Sequence, residues 1–353
     1  MIYLDHAATE KMPPIVADAI RGALVENFAN ASALHTPGHR ALNAVEACRK
    51  TLARMVGCDT DEIIFTSGAS ESNNTVMHIF AGHKITTSPL EHHSVIEAAR
   101  VWGGDDDNIW LKSFMLANNE TGEILDLPTK KAGVYLHSDL TQVLGKLPID
   151  VHALGLDYAT FSAHKIGGPI GVGALYVRRG APFSPLIIGG RQEHGRRGGT
   201  YNVPGLVGFK AALDYINDMD SIRRYETDVR LLRDTLAKRI LTEIPGSSLN
   251  TDIAAGKSLP NILNVSFAAA EGESIQLYLD AEGIIVSTGS ACAAGDIRPS
   301  HVLMAKTGDA EVAHSSIRFS FGLDNTMADV DGVMRVLPGI ITRLQGMSTI
   351  VRK

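Results

Sequence analysis

Cysteine is scarce in this 353-residue chain: Cys48, Cys58 and Cys292 are the only three. They make no disulfide framework and no metal-ligand spacing, so no metal site is expected, and each alone reads as a core residue or a reagent. No apolar run approaches membrane-spanning length, and Met1 leads at once into Ile2-Tyr3-Leu4-Asp5 without a basic stretch. Neither a spanning helix nor a secretory leader is expected, and the chain is read as cytoplasmic, away from membranes. Positive charge is not in excess either. The formal net charge of −6 argues against nucleic acid as a direct partner. Glycine and proline stay below the level that suggests disorder, and 44% hydrophobic with 20% charged residues is ordinary globular composition. Such a length accommodates one large domain and a smaller one.

The pattern centres on Thr160-Phe161-Ser162-Ala163-His164-Lys165-Ile166-Gly167-Gly168. A short apolar strand from Tyr158 to Phe161 breaks into a polar stretch holding a lysine, then into glycine. A lysine there either decorates a hairpin surface or projects from the sheet edge into a cleft. In a cleft a partly desolvated amine can form a Schiff base with a carbonyl cofactor. Helices are expected over 14–25 and 41–56, with an irregular stretch at 28–40 between them. Strands are expected at 62–66, 85–87, 114–117 and 134–137. The first leads through Ser67-Gly68-Ala69-Ser70 into a helix, which either caps that helix or offers its backbone N–H groups to an anion. The strands end respectively near Ser70, His92, Asn119, and Asp139 with Gln142. With Ser162, His164 and Lys165 these make five polar strand ends, expected to converge on one crevice of a mainly parallel sheet.

A basic, glycine-rich loop from Ile188 to Thr200 suits phosphate contact, or is simply solvated. Helices at 204–219 and 220–243 follow, and the domain change is placed near Pro245-Gly246. Beyond it, strands and helices alternate in a compact α+β unit. There Cys292 sits among the smallest residues, in Thr288-Gly289-Ser290-Ala291-Cys292-Ala293-Ala294-Gly295, and Arg318 interrupts an apolar strand, Ser316-Ile317-Arg318-Phe319-Ser320. A strand arginine is costly unless it faces a ligand anion or an acidic partner.

Taken together and in this order, from Leu4-Asp5-His6 to Ser320, these stretches resemble the cysteine desulfurases, the class V aminotransferase branch of fold-type I pyridoxal-phosphate enzymes. The segment from Cys292 to Arg318 is similar to the longer form, typified by the iron–sulfur-cluster and nitrogenase-maturation desulfurases. The resemblance implies an α/β fold: a seven-stranded-type, mainly parallel sheet in a large domain at 14–245. A smaller α+β domain at 1–13 and 246–353 would carry the cysteine. It also implies roles. Lys165 would bind pyridoxal phosphate, Asp139 would face the ring nitrogen, His92 would stack on the ring, and Gln142 and Asn119 would bond the ring oxygen. Ser70, Ser162 and His164 would hold the phosphate, with Thr200 reaching that of a neighbouring subunit in a homodimer. Arg318, assisted by Asn30, would bind the carboxylate of L-cysteine. Lys165, with His92, would move the Cα proton, and Cys292 would take the sulfur as a persulfide for an acceptor protein, such as an iron–sulfur scaffold.

A class V aminotransferase, a selenocysteine lyase and a catalytically degenerate partner-binding homologue are the alternatives. Against the family pattern, Ser70 stands for threonine and Ala31 for proline, and the stretches from His92 to Asn119 and from Asn119 to Asp139 are short. Missing cover there is expected to leave either a partner-docking face, a surface buried in the homodimer, or a gap closed by neighbouring side chains.

Overall fold

The computed structural model describes residues 1–253, 257–288 and 299–347. In chain order the elements are β1 (Ile2–Tyr3), α1 (Pro14–Glu26), α2 (Thr36–Val56), β2 (Ile63–Thr66), α3 (Ala69–Ile79), β3 (Lys84–Thr87), α4 (His93–Trp102), β4 (Ile109–Ser113), β5 (Tyr135–Asp139), β6 (Tyr158–Ser162), β7 (Gly173–Val177) and α5 (Val203–Asp218). Next come α6 (Ser221–Arg224), a π-helical turn, α7 (Arg230–Glu243), β8 (Ser247–Leu249), β9 (Ile262–Phe267), α8 (Gly272–Ala281), β10 (Ile284–Ile285), α9 (His301–Thr307), α10 (Ala310–His314), β11 (Ser316–Ser320) and α11 (Met327–Met347). Among the described residues no helix is long and apolar enough to cross a membrane.

Two compact units emerge. The sheet unit comprises Thr9–Leu116 and Asp126–Ser221; the terminal unit comprises Met1–Ala8, Ala117–Leu125 and the chain from Ile222 onward. The expected change at Pro245-Gly246 falls inside the terminal unit, beyond α7, whose Leu236, Ala237 and Ile240 belong to that unit's core.

In the sheet unit six strands run in the order β2-β7-β6-β5-β4-β3. The pairs β3–β4, β4–β5 and β5–β6 are parallel, and β7 runs against both of its neighbours. The inner strands β6 and β7 are buried at every position, as expected of strands covered on both faces. Ile64, Tyr158, Leu175 and Val177 of the sheet pack with Val76, Met77 and Phe80 of α3 and Val95 of α4. α2 begins earlier than its periodicity suggested, because His35 accepts from Gly38 N and Pro37 sits in the first turn. It buries Ala41, Val45, Cys48, Leu52 and Val56 along one face and ends on Gly57 in the left-handed region.

The sheet has six strands where seven were expected, and one of the strands read from the sequence is displaced. Phe114–Ala117, an apolar run, is not a strand; β4 lies just before it, at Ile109–Ser113, where Lys112 masks the alternation. Residues from Ala117 then leave the sheet unit and close a small loop through the bridge Ala117–Ile124. The docking face expected beside the short links is also absent among the described residues. The large apolar side chains exposed near them are Val101 and Trp110, and Trp110 is stacked on His83 at 4.3 Å, itself bonded to Asp106.

In the terminal unit β11-β9-β8 form an antiparallel sheet, and β1 pairs in parallel with β10. The core joins Leu263, Val265 and Phe267 of β9 and Ile317 and Phe319 of β11 to Val330, Val333 and Leu337 of α11.

Candidate functional site

In the sheet unit the carboxyl ends of parallel strands carry the polar residues. Asp139 ends β5 beside Thr160 of β6, and Lys165 follows β6 by one short turn, Ala163–Ile166. Gly167 closes that turn at φ 79°, where a Cβ would also strike Pro13. Asp139 is buried; its Oδ1 accepts from Thr141 N and its Oδ2 from Asn73 Nδ2. Asn73, from α3, donates also to Ser94 Oγ, which meets His92 Nδ1 at 2.8 Å. His92, the N-cap of α4, is thereby tied to Asp139 through two intervening side chains.

β2 runs into the N-terminus of α3 through Gly68, at φ 154°, with no side chain capping the first turn. A Cβ on Gly68 would meet open space, whereas one on Gly173 of β7 would strike the Gly68 backbone. Ser70 is exposed in this first turn. Glu71 is engaged elsewhere: it accepts from Ser67 N and pairs with Arg197, and these bonds hold its carboxyl below the usual range against the burial that raises it. An uncapped helix start of this kind is a fitting seat for a phosphate. Ser162 is buried at the end of β6, and His164 Nδ1 lies 3.2 Å from Thr9 Oγ1. Burial first, then Lys165 and Lys146, push the His164 pKa down to about 4, so its ring is neutral near pH 7. Gln142 is buried, while Thr200 and Asn30 are exposed. Asn30 Oδ1 accepts from Ser32 N, which gives it a local turn-capping task.

Asn119 and Arg318 belong to the terminal unit, so Asn119 is not one of the sheet's strand ends. Its carbonyl accepts from Arg318 Nη1 at 2.9 Å, and Asp5 Oδ1 accepts from Nη2 at 2.8 Å. Arg318 Nε is buried and makes no hydrogen bond among the described residues, a donor fitted to a further carboxylate. The Arg318 backbone pairs with Ser287. Glu120, the next residue after Asn119, accepts from Ser300 Oγ. Burial lifts the Glu120 carboxyl to about 7, against the opposing pull of Ser300 and Arg318. Cys292 lies outside the described residues, between these two anchors in sequence. Of the other thiols, burial raises Cys48 strongly and Cys58 to about 12, so neither is a ready nucleophile near pH 7.

The aminotransferase class-V family model matches residues 2–103 and 106–333. The chain belongs to that family. A cysteine desulfurase IscS of Dictyoglomus turgidum is 40% identical over 383 aligned positions, covering 98% of the chain and 96% of the relative. A cysteine desulfurase of a Nostoc species is 38% identical over 384, covering 99% and 94%. Both alignments are longer than the 353-residue chain, so these relatives carry residues that it lacks. A solved NifS-like protein superposes with a TM-score of 0.88 at 31% identity, covering 97% of the chain and 99% of that structure. This member of the family is a pyridoxal-phosphate-dependent cysteine desulfurase. Asn73, Ser94 and Lys146 were not singled out from its sequence. Asn73 and Lys146 are signalled by burial and the half-buried Ser94 by its bond to Asn73, neither of which a helix or loop sequence displays.

Proposed function

We propose that the enzyme draws sulfur from L-cysteine on to Cys292 and passes it to an acceptor protein for iron–sulfur cluster assembly. The observation that supports this is the placement of Asp139 at the carboxyl end of β5 and of Lys165 in the turn just after the neighbouring parallel strand β6. Lys165 would hold the cofactor through its amine, with Asp139 toward the ring nitrogen and His92 against the ring. Gln142 and Asn119 would bond its oxygen, and Ser70, Ser162 and His164 would hold its phosphate. Pyridoxal phosphate, when bound, withdraws electrons from the substrate's α-carbon.

The remaining steps belong to the chain's own residues. Arg318 receives the substrate carboxylate at its buried Nε edge, aided by Asn30. The Lys165 amine, with His92, takes the Cα proton. The Cys292 thiolate attacks the substrate sulfur; an S–S bond forms as the C–S bond breaks. The electron pair of that bond goes to Cβ, which takes a proton; the Lys165 ammonium returns the proton to Cα, and the product leaves as L-alanine. The acceptor's thiol then removes the sulfur. The protein works as a homodimer, with the exposed Thr200 reaching the partner's phosphate site. Exposed Ile15, Leu24, Val25 and Phe28, on and just after α1, supply apolar surface for a second copy. Cytoplasmic residence follows from chemistry that needs a free thiol.

Purified protein given L-cysteine and a reductant should release alanine and sulfide in equal amounts. Lys165→Ala should lose the visible absorbance of bound cofactor. Cys292→Ser should keep that absorbance and still bind cysteine, yet release almost no sulfide. Unchanged alanine formation in Cys292→Ser would overturn the persulfide route.

A further inference from the structure

Lys146 is among the largest fully buried side chains of the protein, in the stretch between β5 and β6. The preceding Gly145 makes this possible. At φ 74° it turns the chain so tightly beneath α5 that a Cβ there would strike Ile216, and its carbonyl accepts from Ser221 Oγ. The Lys146 side chain is thrown inward, and Nζ donates to the carbonyl of Lys165 at 3.0 Å. From the opposite direction Glu10 N donates to the carbonyl of His164, so two successive carbonyls of the Ala163–Ile166 turn are held by separate segments. A neutral donor would suffice to hold a carbonyl. Burying an ammonium for that purpose is costly, and the placement calls for a task that needs the charge.

We propose that Lys146 is a positioning residue for Lys165: it fixes that residue's backbone and, as a second ammonium beside the turn, makes the Lys165 amine easier to deprotonate than a solvated lysine. The electrostatics of the neighbourhood support this. Glu10 favours the charged form of Lys146 against the burial that lowers its proton affinity. Lys146 and Lys165 both oppose protonation of His164. Among the titratable groups set around the turn are Glu10 from the N-terminal stretch, His164 and Lys165 of the turn itself, Lys146 beneath it, and Asp139 at the end of neighbouring β5. An amine that takes the substrate's Cα proton has to be neutral when it meets that proton, and a neighbouring ammonium is a known physical means to that end.

This rests on Lys165 as the cofactor-bearing amine, and the test separates the two ideas by reading the amine in cofactor-free protein. Acetylation by acetic anhydride, followed across pH and read by mass spectrometry at each lysine, gives the midpoint of Lys165 against exposed Lys50. In the wild type the Lys165 midpoint should lie below that of Lys50. In Lys146→Met it should rise by about one pH unit or more, as expected for loss of a unit charge a few ångströms away. Lys146→Arg should return it close to the wild-type value. In the loaded protein, the pH at which the visible band of the cofactor titrates should move the same way. A wild-type Lys165 midpoint level with Lys50 overturns the proposal, even if the methionine variant fails to fold. So does an unmoved midpoint in a folded Lys146→Met protein, which would leave Lys146 a backbone prop only. A Lys165→Ala protein that still holds cofactor would overturn the cofactor assignment while leaving the acetylation result standing.

Discussion

Arg318 crosses an otherwise apolar strand with its guanidinium held on two sides, by the Asn119 carbonyl and the Asp5 carboxylate, and its Nε left over. A lysine carries its three donors on one nitrogen, so it cannot span two partners and present a separate edge to a third as the planar guanidinium does. Arg318→Lys should therefore raise KM for L-cysteine by about tenfold or more, with the cofactor spectrum unchanged. Glu120 supplies a prediction in pH. Its carboxyl titrates near 7 in the fold against a reference of 4.5, so the native state binds more protons between those values. Its stabilising contribution is fully present below about 4.5 and is lost as the pH rises through about 7. Thermal unfolding of Glu120→Gln should accordingly show a gain over wild type that is largest above pH 7 and vanishes near pH 4. At this scale Asp139, Ser162 and Lys165 were legible in the sequence, because small polar residues ending apolar runs need a reason. Asn73 and Lys146 were not, since their burial comes from segments distant in the chain.

The loop from Ile188 to Thr200 reads in sequence as suited to phosphate contact or as simply solvated, and it contains a tightly held turn. Glu193 and His194 sit at φ 49° and 57°, a left-handed pair without glycine. The Glu193 carboxylate is buried and receives both Nη groups of Arg49, at 2.7 and 2.8 Å, and Phe65 N. Removing one member leaves the other charge stranded, so Glu193→Ala should cost about 3 kcal/mol or more in urea unfolding. His194→Gly should be neutral or stabilising in the same assay, because glycine adopts that backbone freely. The sequence concealed this arrangement, since Arg49 and Glu193 are far apart in the chain and each alone reads as a surface charge. A similar limit explains the misplaced Asn119. Phe114–Ala117 satisfies a strand pattern, but a pattern of four residues does not say which body the chain enters next. Among the strands read correctly, β2 and β6 are buried at every position, and a mainly apolar run signals that without help from context.

The two units are interleaved in sequence: the chain passes between them after Ala8, after Leu116, after Leu125 and after Ser221. The α/β character of the whole was visible from alternating strand and helix signals, but this interleaving was not, because it depends on which distant strands pair. Ile2 and Tyr3 find their partners only in Ile284 and Ile285, and Asp5 bridges to Ser320. All six strands of the sheet unit, by contrast, lie within residues 63–177. Refolding from denaturant should thus show amide protection in β5, β6 and β7 before β1, β9 and β11; simultaneous protection would contradict this order. On the ribosome the asymmetry becomes a matter of waiting. The first strand to leave the exit tunnel stays without its neighbour until residue 285 has followed, which at ordinary elongation rates is on the order of tens of seconds. Throughout that interval β1 is an unmatched apolar strand, open to chaperones, and a stalled translation product would carry a finished sheet unit beside an unfinished terminal one.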